Sequence, residues 1–517
     1  MRILNFSLLL LTVAVMDGSV SQAQSAQTPP LTDNVVIKTT LLPSGTVNDS
    51  YDAAVAVSGA IPPYTFSASG LPAGLSIDKS TGRISGEPKA STVGVSTVTV
   101  TVRDSSTPAA KTSSVQLSLG VVQSAAAEIC GQLSLGNNAS LNGFVPFQPT
   151  DTWAMDISTA PLDSNSAKII SGFSGAHLHH DWSTPADGNY GIPYVVVDSS
   201  TQPMVPINVI DYASESDVAM APLPANAPIE GAPADCSGWP DTYVGDAHVA
   251  VIDRKTCMLY ETFNTHRCNG KWNASSETIW DLTQFEKRPY GWTSADAAGL
   301  PIMPGLVRYD EVAAGEIKHA IRFTLAQTRK DANLGTFVEP ASHAAGNNTS
   351  SYNVMGMRIR LKATFDISKF SKTNQVILTA MKRYGLILAD NGSNLFFQGT
   401  PDSRWNDGDL SQLGAIAGSN FEVVQMTPKW PGWDSATAPK GAVPVIHTFT
   451  ASASTVKAGT PVTLTWNTSN DSYLFIDKLG GVRGGTVTVA PRATTTYTLY
   501  ATNESGRAKM SVTVKVQ

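Results

Sequence analysis

The stretch VSTVTVTV, Val95–Val102, decides the fold class of this chain. From Thr97 to Val102 threonine and valine alternate with a strict period of two. Successive side chains of a strand point to opposite faces, so this segment carries one apolar and one polar face, as a half-buried strand of a sandwich does. Working outward, Val35–Thr40, Ala53–Ser58, Tyr64–Ser69, Leu75–Ile77 and Ser114–Val121 are short runs bounded by turn residues, and each suits a strand. The pattern returns at the other end in Thr448–Ser452, Pro461–Trp466, Thr486–Ala490, Thr495–Thr502 and Met510–Val516. Between the two ends, Tyr194–Asp198 and Val205–Tyr212 are apolar runs of strand length. His248–Ile252, the polar turn Asp253–Thr256 and Cys257–Phe263 read as a hairpin. Its alternation puts Cys257, Leu259, Glu261 and Phe263 on one face and Met258, Tyr260 and Thr262 on the other. One clear helix is predicted over Thr373–Tyr384, where Val376, Ile377, Ala380, Met381 and Tyr384 recur at helical spacing and Gly385 supplies the stop.

Two segments carry a family resemblance. Gly70-Leu71-Pro72-Ala73-Gly74-Leu75-Ser76-Ile77, followed by Ser80-Thr81-Gly82-Arg83-Ile84-Ser85-Gly86-Glu87-Pro88, resembles the repeat of the putative-Ig, cadherin-like family. The Thr-Gly turn falls between two short strands. The resemblance covers about residues 35–121 and implies a β-sandwich used as a spacer or adhesion module, without catalysis. Phe449–Ser452, Ala458-Gly459, Val462–Trp466 and Thr494–Leu499 resemble a common bacterial Ig-like domain, with Trp466 in its core. The predicted class is therefore mostly β: two Ig-like β-sandwiches flanking a large, mainly antiparallel β-domain with one or two helices. In the middle, Glu215-Ser216-Asp217, Ala227–Gly231, Trp292–Gly299, Pro304–Glu311 and Ile387–Ser393 together resemble a widespread set of secreted bacterial proteins. That implies one domain spanning these phrases and a secreted habit, and it transfers no catalytic residue.

The chain has 517 residues, too many for one ordinary core. A net charge of −6 without a basic run argues against nucleic acid and anionic membrane as partners and favours a neutral or weakly charged ligand. Residues 1–23 read as a secretory signal: Arg2, the apolar run Ile3–Met16 and the small-x-small site Ser21-Gln22-Ala23. No other segment is long and apolar enough to span a membrane, so the mature protein is expected outside the cytoplasm, secreted or at the cell surface. The predicted organisation is signal 1–23, linker 24–34, Ig-like domain 35–121, linker 122–128, central domain 129–426, linker 427–444 and Ig-like domain 445–517. The four cysteines, Cys130, Cys236, Cys257 and Cys268, all lie in the central region and suggest two disulfides. Of the three pairings, Cys257 with Cys268 would close a small loop and leave Cys130 with Cys236.

The central region holds seven of the eight histidines, so chemistry is sought there. Tyr290–Glu311, YGWTSADAAGLPIMPGLVRYDE, is dense in Gly and Pro, apolar, and yet charged. Such a segment is expected either to line a cleft or to be a buried connection whose charges pair. Asp296 and Glu311 are the leading acid and base or nucleophile for glycoside cleavage, with Asp246, Glu261 and Asp390 as substitutes. Trp292 and Tyr309 would stack on sugar rings, and Trp182, Arg308 and Asn391 are further substrate-binding candidates. This reading needs no cofactor, and its partner is an extracellular polysaccharide or cell-surface glycan. A second reading is a non-catalytic adhesion protein. A third is a metal-dependent oxidase or hydrolase holding a divalent metal or copper at His177, His179 and His180, with His248, His319 or His343 as a distant ligand. Ser294, Ser342 and Ser393 lack a G-x-S-x-G context and make the weakest case.

Overall fold

The computed structural model describes residues 34–40, 42–43, 45–46, 51–86, 88, 92, 94–122, 130–147, 151–184, 190–231, 246–329, 336–346, 348–426 and 441–517. The signal and almost all of the first linker, Cys236 and most of the 427–444 linker lie outside the described residues.

Strands dominate. At the N-terminal end, Gly94–Arg103 and Thr112–Val122 form the centre of a four-stranded sheet, with Val98, Val100 and Val102 turned inward at 0% exposure. The threonines between them face out, and Thr101 shares a hydrogen bond with Ser114 across the sheet. A three-stranded sheet of Tyr51–Ala54, Arg83–Gly86 and Leu75–Ile77 adds Tyr51 and Ile84 to the same core. Leu75–Ile77 and Arg83–Gly86 pair around the Thr-Gly turn as the sequence predicts, with Ile77 opposite Ile84. Asp78 Oδ1 accepts from the backbone N–H groups of Ser80 and Thr81. Gly82 is required there: its φ is +71°, and a Cβ would meet the Phe66 ring at 2.5 Å.

Besides a four-stranded sheet that runs Met220–Ala221, Val205–Val209, Lys271–Ala274, His266–Cys268, the central region has two larger sheets. One runs Gly136–Asn137, Tyr194–Val197, Val249–Asp253, Met258–Phe263, Ser276–Asp281. The other runs His179–Asp181, Phe396–Gln398, Ile321–Leu325, Leu386–Asn391, Arg358–Leu361, Phe421–Val423. Pairing is mainly antiparallel, with parallel pairs where distant segments meet, such as His179–Asp181 beside Phe396–Gln398. One large apolar core, with Ala250, Leu259 and Trp280 from the first sheet and Phe323, Leu388 and Phe397 from the second, joins them. The predicted helix is present as Lys372–Arg383, capped by the Ser371 side chain accepting from Asn374 N–H. It is one of four described helices rather than one or two. The others, Ser166–Ser171, Tyr309–Ala314 and Asp407–Leu410, are four to six residues long, too short to show a helical period.

The hairpin alternation is borne out. Cys257 and Leu259 enter the large core, whereas Met258 and Tyr260 enter a second core on the other face. That second core is closed by Tyr473 and Phe475 from the C-terminal sandwich. The sandwich itself has Trp466 inside, as predicted, with Leu464, Ile476 and Leu499. A buried ionic network ties it to the central region. Asp217, fully buried, accepts from Arg288 Nη1 at 2.6 Å, from the Tyr473 hydroxyl at 3.0 Å and from Arg507 Nη2. Burial alone would raise the Asp217 carboxyl, but the Arg288 and Arg507 guanidiniums and the Ile279 N–H more than offset it, and the group is held below its ordinary value.

The cysteine pairing differs from the small-loop expectation. Cys130 bonds to Cys257, 127 residues away, with both side chains in the large core. Cys257 sits on the hairpin turn facing that core, while Cys268 ends the His266–Cys268 strand of a separate sheet, where it stands opposite Lys271. Cys268 is disulfide-bonded as well. Replacing Cys130 and Cys257 together by alanine is expected to cost about 2–5 kcal/mol, because the bond closes a long loop; reversible denaturation of the full chain reads this directly.

Candidate functional site

The Tyr290–Glu311 segment is packed rather than open. Leu300, Met303, Leu306 and Val307 are 0% exposed, and Ile302 is 1% exposed. Of the two readings, the buried connection with paired charges is the one the structure adopts. Asp296 sits against Arg322, with Oδ1 at 3.0 Å from Nη2 and the Arg322 side chain 1% exposed. Glu311 belongs to a different cluster. It caps the Tyr309–Ala314 helix by accepting from the Arg308 N–H at 2.9 Å, and it pairs with Arg308 Nη2 at 2.6 Å and His319 Nε2 at 3.1 Å. Both carboxylates are thus taken up in separate ion pairs, which corrects the expectation that they face each other across a cleft. A hollow of about 350 Å³ does lie beside Glu311, lined by Asn142, Phe144, Asp310 and Lys318 among others, but the Glu311 oxygens are occupied by their own arginine and histidine.

Glu261 is neither a groove acid nor a solvated one. It is 0% exposed and accepts from Trp280 Nε1 at 3.0 Å and from the backbone N–H groups of Ile302 and Met303 at 3.0 and 2.8 Å. A β-strand carboxylate thereby fixes the apolar loop. Glu261→Ala is expected to cost about 3 kcal/mol, since it strips three buried donors of their acceptor; the loss would appear in chemical denaturation without a change in the slope.

The aromatic candidates are also engaged. Trp292 is half-buried beneath the Arg507 guanidinium, 4.6 Å from its ring, at the junction with the C-terminal sandwich. Tyr309 carries Arg404 at 4.1 Å and meets Trp405 edge-on. Trp182 is 1% exposed in the core, packed on Phe397 and Trp405. Arg308 is buried with Glu311. Asn391 is exposed and donates to the Ala345 carbonyl.

The three histidines do not converge. His177 Nδ1 bonds the Gly414 carbonyl at 2.8 Å, outside the strand. His179 stacks on Phe396 at 4.0 Å. His180 is held neutral near 4, chiefly by burial and then by the His179 charge. His343 Nδ1 bonds the Ala297 carbonyl, and His319 bonds Glu311. Among the described residues, the ligand atoms that could surround one cation are those of Glu230, Asp246 and His248, which lie within 4.8 Å of one another.

A site does assemble, around Arg322. Registered partners in a sheet share a face. His179 stands opposite Phe396, Asp181 opposite Gln398, and Thr324 opposite both Phe396 and Asp390. The pairing of Ile321–Leu325 with Leu386–Asn391 slips between Phe323 and Thr324, so that Asp390 rather than Ala389 stands beside Thr324. This bulge re-aims Asp390 onto the face that carries Arg322. The same face thus collects His179, Asp181, Arg322, Thr324, Asp390, Phe396 and Gln398.

Two loops bring the remaining groups. Ala247 has a φ of +45° and separates exposed Asp246 from buried His248. His248 Nδ1 meets Glu230 Oε2 at 2.5 Å, and Nε2 meets the Ala295 carbonyl at 2.9 Å. Both partners are acceptors, so both ring nitrogens donate and the ring is an imidazolium. Burial lowers the His248 pKa, but the Glu230 carboxylate and the Asp246 charge outweigh it and raise it to about 9. Asp390 is raised to about 7, first by burial and then by the charge of Asp296, with Asp246 adding to it and Arg322 opposing. Its side chain is nevertheless 23% open to solvent, with Oδ2 3.9 Å from Arg322 Nη2. Asp296 is raised to about 6, by burial, against the pull of Arg322. Asp181 is raised by burial and by Glu230, with a hydrogen bond from Gln398 opposing. Asp181, Glu230, Arg322 and Gln398 carry no local sequence signal as site residues; strand register brings all but Glu230 together.

Residues 29–120 match the family model described as Putative Ig domain, and the N-terminal sandwich is an Ig-like domain. No curated protein matches the chain by sequence. Among solved structures, a putative alpha-galactosidase/melibiase from Bacteroides fragilis aligns at 22% identity and TM-score 0.15, over 17% of this chain and 17% of that chain. Drosophila N-cadherin EC1-4 aligns at 9% identity and TM-score 0.15, over 48% of each chain. The N-terminal four Ig domains of Dscam1 isoform 7.44 align at 10% identity and TM-score 0.14, over 93% of this chain and 99% of that one. Likeness at this level carries no argument about activity. No helix among the described residues is long and apolar enough to cross a membrane.

Proposed function

We propose that the central region is a glycoside hydrolase acting on an extracellular polysaccharide, with its chemistry at the Arg322-centred carboxylate cluster. Asp390 is the general acid, and solvent-exposed Asp246, whose charge Asp390 feels, is its carboxylate partner. The observation that carries this reading is Asp390: a carboxyl raised to about 7 whose side chain is still 23% open to solvent. Glycoside cleavage asks for a carboxyl that keeps its proton, and Asp390, raised to about 7, supplies that half of the requirement. Arg322, ion-paired with Asp296, lies 3.9 Å from Asp390 on the same side of the sheet. The leader read in residues 1–23 would export the chain to a compartment where the Cys130–Cys257 bond persists.

The test is release of reducing ends by the full chain from a panel of neutral, acidic and amine-bearing polysaccharides, with Asp390→Asn alongside. Turnover that survives the substitution unchanged removes Asp390 from the mechanism. The second reading, a surface protein that binds glycan or protein without cleaving it, is favoured by the Ig-like sandwich matched at residues 29–120. It predicts retention on a polymer with no new reducing ends.

A further inference from the structure

We infer that the hollow between the 140–145 loop and the Tyr309–Ala314 helix is a second glycan site, one that takes a single neutral sugar unit. None of its lining residues belongs to the Arg322 cluster, so the inference goes beyond the hydrolase reading and does not depend on cleavage at Asp390. The volume, about 350 Å³, falls within the range of small-molecule sites. The two walls are tied together. Asp310 Oδ2 accepts from the Ser140 hydroxyl at 3.1 Å and from the Leu141 N–H at 2.9 Å, which pins the loop onto the start of the helix. A ligand therefore meets walls that are already in place.

Charge decides the class of ligand. Three acids, Asp310, Glu311 and Glu316, and two cations, Arg308 and Lys318, line the hollow. Each faces an opposite charge already. Glu311 pairs with Arg308 and His319, Lys318 lies 3.5 Å from Glu316, and Glu316 pairs with Arg383 at 3.0 Å. Burial alone would raise the Glu311 carboxyl, but Arg308 and then His319 more than offset it, so it is an ionised acceptor. A uronate or an amino sugar would have to break one of these pairs to find an uncompensated counter-charge. A neutral sugar breaks none: its hydroxyls both donate and accept, and Val145 and Ala314 offer apolar surface to its carbons.

Arg308 adds an independent pointer. Its side chain is 3% exposed, and its Nε has no hydrogen-bond partner. Nε stands 3.9 Å from Asp310 Oδ1. That gap is too long for a hydrogen bond and is the span that one oxygen bridges, accepting from Nε and donating to Oδ1 over legs of about 2.8 Å. A sugar hydroxyl is such an oxygen, and a lone water is its competitor.

The experiment measures binding of glucose, galactose and mannose to the full chain by titration calorimetry and saturation-transfer NMR, with glucosamine and glucuronate alongside. At least one neutral sugar is expected to bind with a Kd on the order of 1 mM, roughly fivefold or more tighter than either charged one. Ala314→Trp fills the hollow from an exposed position and should abolish this binding with the melting temperature kept. Lys318→Ala, also at an exposed position, should weaken it about fivefold. Binding that survives both substitutions at full strength places the sugar elsewhere and overturns the site. Charged sugars that bind as well as neutral ones overturn the ligand class. No binding of any sugar assigns the bridge to water and overturns the inference. Asp390→Asn separates the two readings, since it should leave this binding unchanged. Sugar binding without release of reducing ends from any polymer supports the hollow and overturns the hydrolase reading; turnover without sugar binding does the reverse.

Discussion

Asp390→Asn is expected to lower kcat by a factor of 10² to 10⁴ while raising the melting temperature by a few degrees. The two effects have one cause. In the folded protein the Asp390 carboxyl keeps its proton up to about pH 7, whereas in the unfolded chain it ionises near 3.8. As pH rises from 3.8 towards 7, the unfolded state gains a charge that the folded state refuses, so the wild-type residue destabilises the fold throughout that window and beyond it. Asparagine removes the penalty, on the order of 2 kcal/mol for a side chain partly open to water. It also removes the proton that a departing glycosidic oxygen needs. The wild-type rate should therefore fall as pH rises through about 7, and this limb should vanish in the variant. A variant that gains stability and keeps its activity would mark Asp390 as a structural acid. The combination of higher stability and lost turnover is the pattern of a site that trades one for the other.

Asp217→Ala is expected to cost about 3–5 kcal/mol, the largest loss foreseen for any single substitution here. It would strand Arg288, whose side chain is 0% exposed, and Arg507, 13% exposed, without their shared counter-ion. The penalty comes from the buried charges left behind, so adding Arg288→Met should recover part of it, and the pair should cost less than the sum of the singles. Because the folded pKa of Asp217 is lowered, its contribution is present at neutral pH and lost as pH falls through the folded value. Urea denaturation at pH 7 and in acid separates the two conditions.

The sequence shows the sandwiches clearly because their evidence is local. Val98, Val100 and Val102 announce a buried face within six residues, and the turn between Leu75–Ile77 and Arg83–Gly86 is spelled by Ser80-Thr81-Gly82. The faces of the 257–263 strand are equally readable, since alternation alone assigns Leu259 and Tyr260 to opposite cores. The site is not local. Asp181 and Gln398 are neighbours only because two distant strands run side by side in parallel. Asp390 joins them through a slip in pairing that no residue type signals. Charges in Tyr290–Glu311 leave two readings open, groove or ion pair, until the positions of Arg322 and His319 are known. The disulfide is hidden for a similar reason: the short loop between Cys257 and Cys268 spans two different sheets.

The closure of the second core by Tyr473 and Phe475 has a practical outcome. The last module is not a bead on a string that can be clipped off or exchanged. A version of the protein ending before residue 441 would lay Met258, Tyr260 and Ile279 bare to water, together with an acid and an arginine robbed of company. Such a fragment should clump on expression. Grafting a foreign terminal module onto the same place should fail unless it brings its own aromatic pair and the arginine that answers Asp217.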